Sequence, residues 1–169
     1  MIRGIVKSVV KGVIQRVSAT VWGDGAIDDR ELIQHYGFTS RPVAGAEVIF
    51  IRQGGQFIAI GSDDRRYRIA LEEGELALYD DLGQVVHLTR EGVVVTSPKK
   101  ISATAPTVEV IAEMKVTMTT PLLEVSGHIK AAGNVSDMKG SMQAMRDTYN
   151  VHPHPLPQGG STDKPGQVM

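Results

Sequence analysis

From residue 73 to about residue 130 the chain is a succession of short β-runs for which it offers no cover of its own. Leu76-Ala77-Leu78-Tyr79, Val85-Val86-His87-Leu88, Val93-Val94-Val95, Ile101-Ser102-Ala103, Val108-Glu109-Val110-Ile111, Met114-Lys115-Val116-Thr117-Met118, Leu122-Leu123-Glu124-Val125 and His128-Ile129 follow one another. They recur at roughly eight-residue intervals, an irregular repeat. Gly83, Gly92, Pro98, Pro106, Pro121 and Gly127 fall between several of them. Many alternate apolar with Ser, Thr, Lys or Glu, so each presents one face for burial. No helix or second sheet in this region is available to cover that face. Burial of apolar surface is worth roughly 25 cal/mol per Å², so the stripe needs a partner. The simplest partner is another copy of the same chain, and three copies around an axis leave no free strand edge.

Composition agrees. Aromatics make up 5% of the 169 residues, so a core has to be assembled from Val, Ile, Leu, Ala and Met, which suits narrow β-structure. With 18 basic and 19 acidic residues the formal net charge is -1. That disfavours phosphate-driven nucleic-acid binding. The absence of cysteine excludes disulfides, thiolate nucleophiles and thiolate metal sites. No apolar stretch approaches the roughly 18–20 residues of a membrane span. The start, MIRGIVKSVVKG, lacks the continuous apolar region of a secretory signal, so synthesis in a cytoplasm is expected.

Residues 1–61 read differently. Gly4–Val10, Gln15–Val21, Ala46–Ile51 and Gln56–Gly61 are β-rich. Trp22-Gly23-Asp24-Gly25 marks a turn, and Gln53-Gly54-Gly55 marks a hairpin. About five short strands around a small apolar core predict a compact barrel of the oligonucleotide/oligosaccharide-binding (OB) type, with a sandwich fragment as the alternative. Residues 62–72 form a charged connector, read as a solvated linker. In 135–150, Ser136 or Asp137 is the candidate cap of a short helix carrying Met138, Met142, Met145 and Tyr149 on one face. The Met stripe is read as packing.

The tail contains His152-Pro153-His154-Pro155. Each proline fixes its own φ and pushes the preceding histidine toward extended geometry. Residues i and i+2 of an extended chain point to one side, so both imidazoles project together. Two imidazoles are too few for a closed zinc site. Three chains would supply six, which suits octahedral coordination of iron(II) or nickel(II) better than zinc. The same run also fits a flexible Pro-rich tail, and residues 161–169 are open to disorder.

Catalytic constellations are not visible. The pairs Asp28-Asp29, Asp63-Asp64 and Asp80-Asp81 lie in turn-like segments, and neighbouring side chains on an extended chain point apart. His35, His87 and His128 lack a nucleophile partner and read as structural or exposed. The chain is not expected to be an enzyme.

Several segments in order carry a family resemblance. These are Phe57-Ile58-Ala59-Ile60-Gly61, then Asp63-Asp64-Arg65-Arg66-Tyr67, then Glu73-Gly74-Glu75-Leu76-Ala77-Leu78-Tyr79-Asp80-Asp81-Leu82-Gly83. After them come the Ile/Val/Thr-rich repeats and His152-Pro153-His154 followed by Gly159-Gly160-Ser161-Thr162. Over essentially its whole length the chain resembles the phage baseplate assembly protein V family, the central tail spikes of Mu-like contractile phages.

The resemblance implies a mainly β homotrimer in the virion's tail baseplate. An OB-like barrel (1–61) would dock to the baseplate hub or tail tube, and a connector (62–72) would lead to a triple-stranded β-helix shaft (73–134). An apex with a short helix (135–169) would close the tip. There His152 and His154 of three chains would bind one iron ion octahedrally, and contraction would drive that tip through the host outer membrane. The resemblance also allows calcium or chloride near the apex, with Ser136 and Asp137 as the nearest oxygen-bearing candidates; turn or cap roles suit them better. The alternatives are the spike of a phage-derived contractile injection system, or an OB-fold binding module with no piercing role.

Overall fold

The structure is a computed structural model that describes residues 1–167 and 169; Val168, part of the expected tail, lies outside the described residues. The chain is mainly β with one short helix, and it packs as two units, Met1–Thr107 and Val108–Met169.

Five antiparallel strands open the first unit: β1 (Ile2–Val10), β2 (Arg16–Val21), β3 (Ala26–Glu31), β4 (Glu47–Gln53) and β5 (Gln56–Asp63). They lie in the order β3-β2-β1-β4-β5. Alternation sets the inner face. Val17 and Ala19 on β2, and Val48 and Phe50 on β4, are fully buried, while their sequence neighbours are half-buried or exposed. Val6, Val9, Ile27, Leu32, Ala46 and Ala59 complete the core. The Gln53–Gln56 hairpin is present as expected, with Gly54 at φ 60° in the turn, a conformation that costs glycine little.

Three bulges curve this sheet. The register slips between Val6 and Ser8 on β1, between Ile27 and Arg30 on β3, and between Ala59 and Gly61 on β5. Each adds a residue to one strand, which bends it and increases its twist. The slip on β1 also resets the alternation, so that Val6 and Val9, three residues apart, both face inward. On β3 the extra residue places Asp29 at φ 55°. There Arg16 grips its carboxylate at 2.6 and 2.9 Å and Ser18 Oγ accepts its backbone N–H. That guanidinium holds the Asp29 carboxyl below the usual carboxylate range. Asp28-Asp29 thus belongs to a bulged strand and not to the expected turn.

The compact barrel expected over 1–61 does not close in this structure. Among the described residues, one parallel bridge just past β3 joins Leu32 to Ala59 of β5, with the Ile33 N–H donating to the Ala59 carbonyl at 2.9 Å. The charged β3 sequence, Ala26 to Glu31, leaves its outer edge unpaired.

The connector is also tied down where a solvated linker was expected. β5 runs through Ser62 and Asp63. Arg66 pairs with Asp64 at 2.6 Å and donates to the Ala44 carbonyl at 3.0 Å. Arg68 pairs with Asp63 at 2.7 Å. These contacts lie at the surface, where ion pairs contribute little each.

Next comes a three-stranded antiparallel meander, β6 (Leu76–Tyr79), β7 (Val85–Leu88) and β8 (Val93–Thr96), in that order. Asp80 makes the first turn: its Oδ1 accepts the N–H groups of Leu82 and Gln84, each at 2.9 Å. Glu75 anchors the meander. Its carboxylate accepts from the backbone N–H of Glu72 at 3.1 Å and of Arg90 at 3.0 Å, and meets His87 Nε2 at 3.0 Å.

The repeats between 97 and 134 take another form. Among the described residues they form no strand and no helix within the chain. Their apolar side chains face outward: Ile111 is 89% and Met114 95% exposed.

Phe50 has no exposed surface and the core around it is small. Phe50→Ala should cost about 3–5 kcal/mol, read as an earlier unfolding transition in urea; Trp22→Ala, at a turn position 90% exposed, should change it by less than about 0.5 kcal/mol.

Glu75 supplies a pH dependence. The two backbone N–H groups, and then His87, hold its carboxyl below the usual glutamate range. A depressed carboxylate stabilises fully above its ordinary value of about 4.3 and loses that contribution as pH falls through the lower native value. Amide protection in β6–β8, taken relative to the intrinsic exchange rate, should therefore fall below about pH 4, and Glu75→Gln should flatten that acid response. Equal acid sensitivity in both proteins would exclude Glu75 as its source.

Candidate metal centre

The second unit carries the histidine pair. Helix α1 (Met142–Val151) begins at Ser141, whose hydroxyl accepts the Ala144 N–H at 3.0 Å. The cap is therefore Ser141, and not Ser136 or Asp137. Those two lie in the turn before it. Asp137 Oδ1 accepts the N–H groups of Lys139 at 2.8 Å and Gly140 at 2.9 Å, and the Asp137 N–H donates to the Gly140 carbonyl. The Gly140 and Lys139 amides hold the Asp137 carboxyl below its usual range. This turn consumes the residues that a longer helix would have needed, so Met138 falls outside α1 and is fully exposed. Met142, Met145 and Tyr149 do share one face, spaced three and four apart. With Val135, Thr148 and His152 they line an open groove of about 840 Å³.

His152 sits at the C-cap of α1 with extended φ -73° and ψ 127°, the conformation that Pro153 favours. Its backbone N–H donates to the Thr148 carbonyl at 3.1 Å. Nδ1 lies 2.7 Å from the Tyr149 carbonyl. A carbonyl only accepts, so Nδ1 carries the proton and Nε2 of a neutral ring keeps its lone pair. His154 follows with its ring centre 4.9 Å from that of His152, at 80° between planes. The two imidazoles do project together, as the His-Pro-His spacing predicts.

This arrangement fits a shared metal ion in two respects. A ligating histidine normally donates its other ring N–H to a carbonyl or carboxylate, as His152 does. Metal–nitrogen distances of about 2.1 Å put neighbouring imidazole ligands with their centres roughly 4–5 Å apart. In a third respect one chain falls short. Among the described residues no third His, Cys, Asp or Glu joins the pair.

His87 pairs with Glu75, His128 is exposed, and the His35 carbonyl accepts the Phe38 N–H in a loop. Two contacts to the histidine pair have no signature in the sequence: the Tyr149 carbonyl on His152 Nδ1, and the Thr162 hydroxyl on the His154 N–H, reached through the Gly159-Gly160 reversal.

Comparison with known proteins agrees with these features. The family described as Bacteriophage Mu Gp45, N-terminal, matches residues 3–66, the span of the five-stranded sheet. The baseplate puncturing device gp45 of Escherichia phage Mu is 31% identical over 155 residues, covering 89% of this chain and 74% of that protein. The Mu-like prophage FluMu protein gp45 of Haemophilus influenzae (strain ATCC 51907 / DSM 11121 / KW20 / Rd) is 32% identical over 103 residues, 59% of this chain and 56% of its own length. The class is thus that of phage baseplate spike proteins, and the chain belongs to the bacteriophage Mu Gp45 family.

Ser141→Ala should cost α1 about 1 kcal/mol, read as roughly fivefold faster amide exchange at Ala144. Unchanged exchange there would mean that the hydroxyl does not hold the helix start.

Proposed function

We propose that the chain forms the central spike of a contractile phage tail: a homotrimer with a metal-held tip that is driven through the host outer membrane. Its family makes it a virion protein of the tail baseplate. The role is mechanical and involves no reaction.

The observation that carries this reading is the stretch 97–134, which forms neither strand nor helix and exposes its apolar side chains. Backbone N–H and C=O groups must be paired or wet, and water is a poor neighbour for Ile111, Met114, Val116 and Leu122. Three copies winding their shafts together as a triple-stranded β-helix would cover those side chains and pair the free backbone. In this reading residues 1–61 are an OB-like, incompletely closed barrel that docks to the hub or tail tube. Residues 62–72 connect, 73–134 form the shaft, and 135–169 form the apex. The puncturing named for the phage Mu relative is the action assigned here to the apex.

At the tip, His152 and His154 of three chains would present six neutral imidazoles to one ion, with iron as the candidate. A bound ion would act as a Lewis acid that joins the three chain ends. The residues of the chain do the preparation. α1 fixes the His152 backbone, the Tyr149 carbonyl sets its tautomer, and Pro153 holds the spacing. Chain ends open most easily, so a ligand-held end resists fraying at the point that meets the membrane first, and binding to the folded trimer alone adds stability by mass action.

Light scattering should give a particle of about three times the chain mass of 18.2 kDa, and elemental analysis should give one transition-metal ion per three chains. His152→Ala with His154→Ala should lose the ion, and acid should release it from the unaltered protein, since only neutral imidazole ligates. A monomer would overturn the shaft; metal content unchanged in the double variant would overturn the tip.

A further inference from the structure

The two histidines are held by different means. His152 belongs to the end of α1, which fixes both its backbone and its ring. His154 lies beyond the helix, between two prolines. Its hold comes from the chain that returns past it. The His154 N–H donates to Thr162 Oγ1 at 2.9 Å, and the Thr162 N–H donates back to the His154 carbonyl at 2.8 Å. The loop between them closes with an antiparallel bridge from Pro155 to Ser161. Inside it the Leu156 N–H donates to the Gly160 carbonyl at 3.1 Å, and the Gly159 N–H to the Leu156 carbonyl at 3.0 Å. Gly159 and Gly160 have φ 90° and 86°, where other residues are strained.

Pro155 has no N–H to give to such a pairing. The His154 N–H is the nearest donor upstream, and the acceptor it meets is a side-chain hydroxyl and not a backbone carbonyl. A glycine, alanine or valine at 162 would leave that donor without its partner. We propose that Thr162 is a positioning residue for His154, its hydroxyl orienting the second imidazole of each chain toward the shared ion, with residues 155–162 acting as a clasp. The inference rests on the metal-held tip described above. Both groups are exposed, so water can replace the lost bond in the folded chain. The fold and trimer should then survive the change while ligand alignment does not.

The test uses the full chain loaded with iron(II), comparing the unaltered protein with Thr162→Val and Thr162→Ser. Valine keeps the shape and deletes the acceptor; serine restores the acceptor and deletes the methyl. Mass by light scattering, iron per trimer and the rate of iron loss to an excess of chelator are read for each. Expected are trimers in all three, iron loss about 10- to 100-fold faster in Thr162→Val, and a rate in Thr162→Ser within about threefold of the unaltered protein. Loss at the unaltered rate in Thr162→Val would overturn the proposal. So would a serine variant no better than valine, or a valine variant that no longer forms trimers, since each makes Thr162 a packing residue only. If the unaltered trimer holds no iron, the tip reading itself fails and the clasp falls with it; a loaded trimer indifferent to Thr162 removes the clasp alone.

Discussion

A backbone outside helices and sheets lacks regular hydrogen-bond partners of its own, and in this protein that bears on more than thirty consecutive residues, 97–134. A helix meets its needs internally and the five-stranded sheet meets most of its own laterally. The repeat region does neither among the described residues. Its Thr, Ser and Lys positions tolerate water; its Val, Ile, Leu and Met positions do not. In the proposed trimer, neighbouring copies meet that need.

The two ends are organised to be independent of that demand. The N-terminal sheet buries a closed set of aliphatic residues around Phe50 and curls through three single-residue bulges. The meander that follows is held by a carboxylate, Glu75, receiving two amides and a histidine. At the other end, α1 starts from a hydroxyl cap and finishes on a histidine. Local satisfaction at both ends lets the chain keep its structure there without help from the repeat region.

Much of this was legible in the residues. Alternation located the β-runs, glycine pairs located the turns, and two prolines foretold that the rings of His152 and His154 would lie side by side. Where the reading failed, the reason was an added residue or an intervening bond. An extra residue in β3 turned an expected turn at Asp28-Asp29 into a bulge. A short Asx turn at Asp137 moved the helix start to Ser141. Curvature in the sheet stopped short of closure: among the described residues one bridge, Leu32 to Ala59, links its two ends. The hold on His154 was invisible because it depends on a hydroxyl eight residues away, reached only through a glycine reversal. None of these follows from periodicity, which counts residues and does not see single side-chain bonds.

The unpaired outer edge of β3 is worth following one step further. It reads Asp28-Asp29-Arg30-Glu31, and Asp29 is twisted out of regular geometry and pinned by Arg16. Charge and distortion are what make a strand edge a poor template for another strand. The repeat region, by contrast, exposes aliphatic side chains such as Ile111 and Val116. In the trimer proposed above, strand addition at the N-terminal sheet is thereby disfavoured, and the segments left to pair between copies are those of the repeat region.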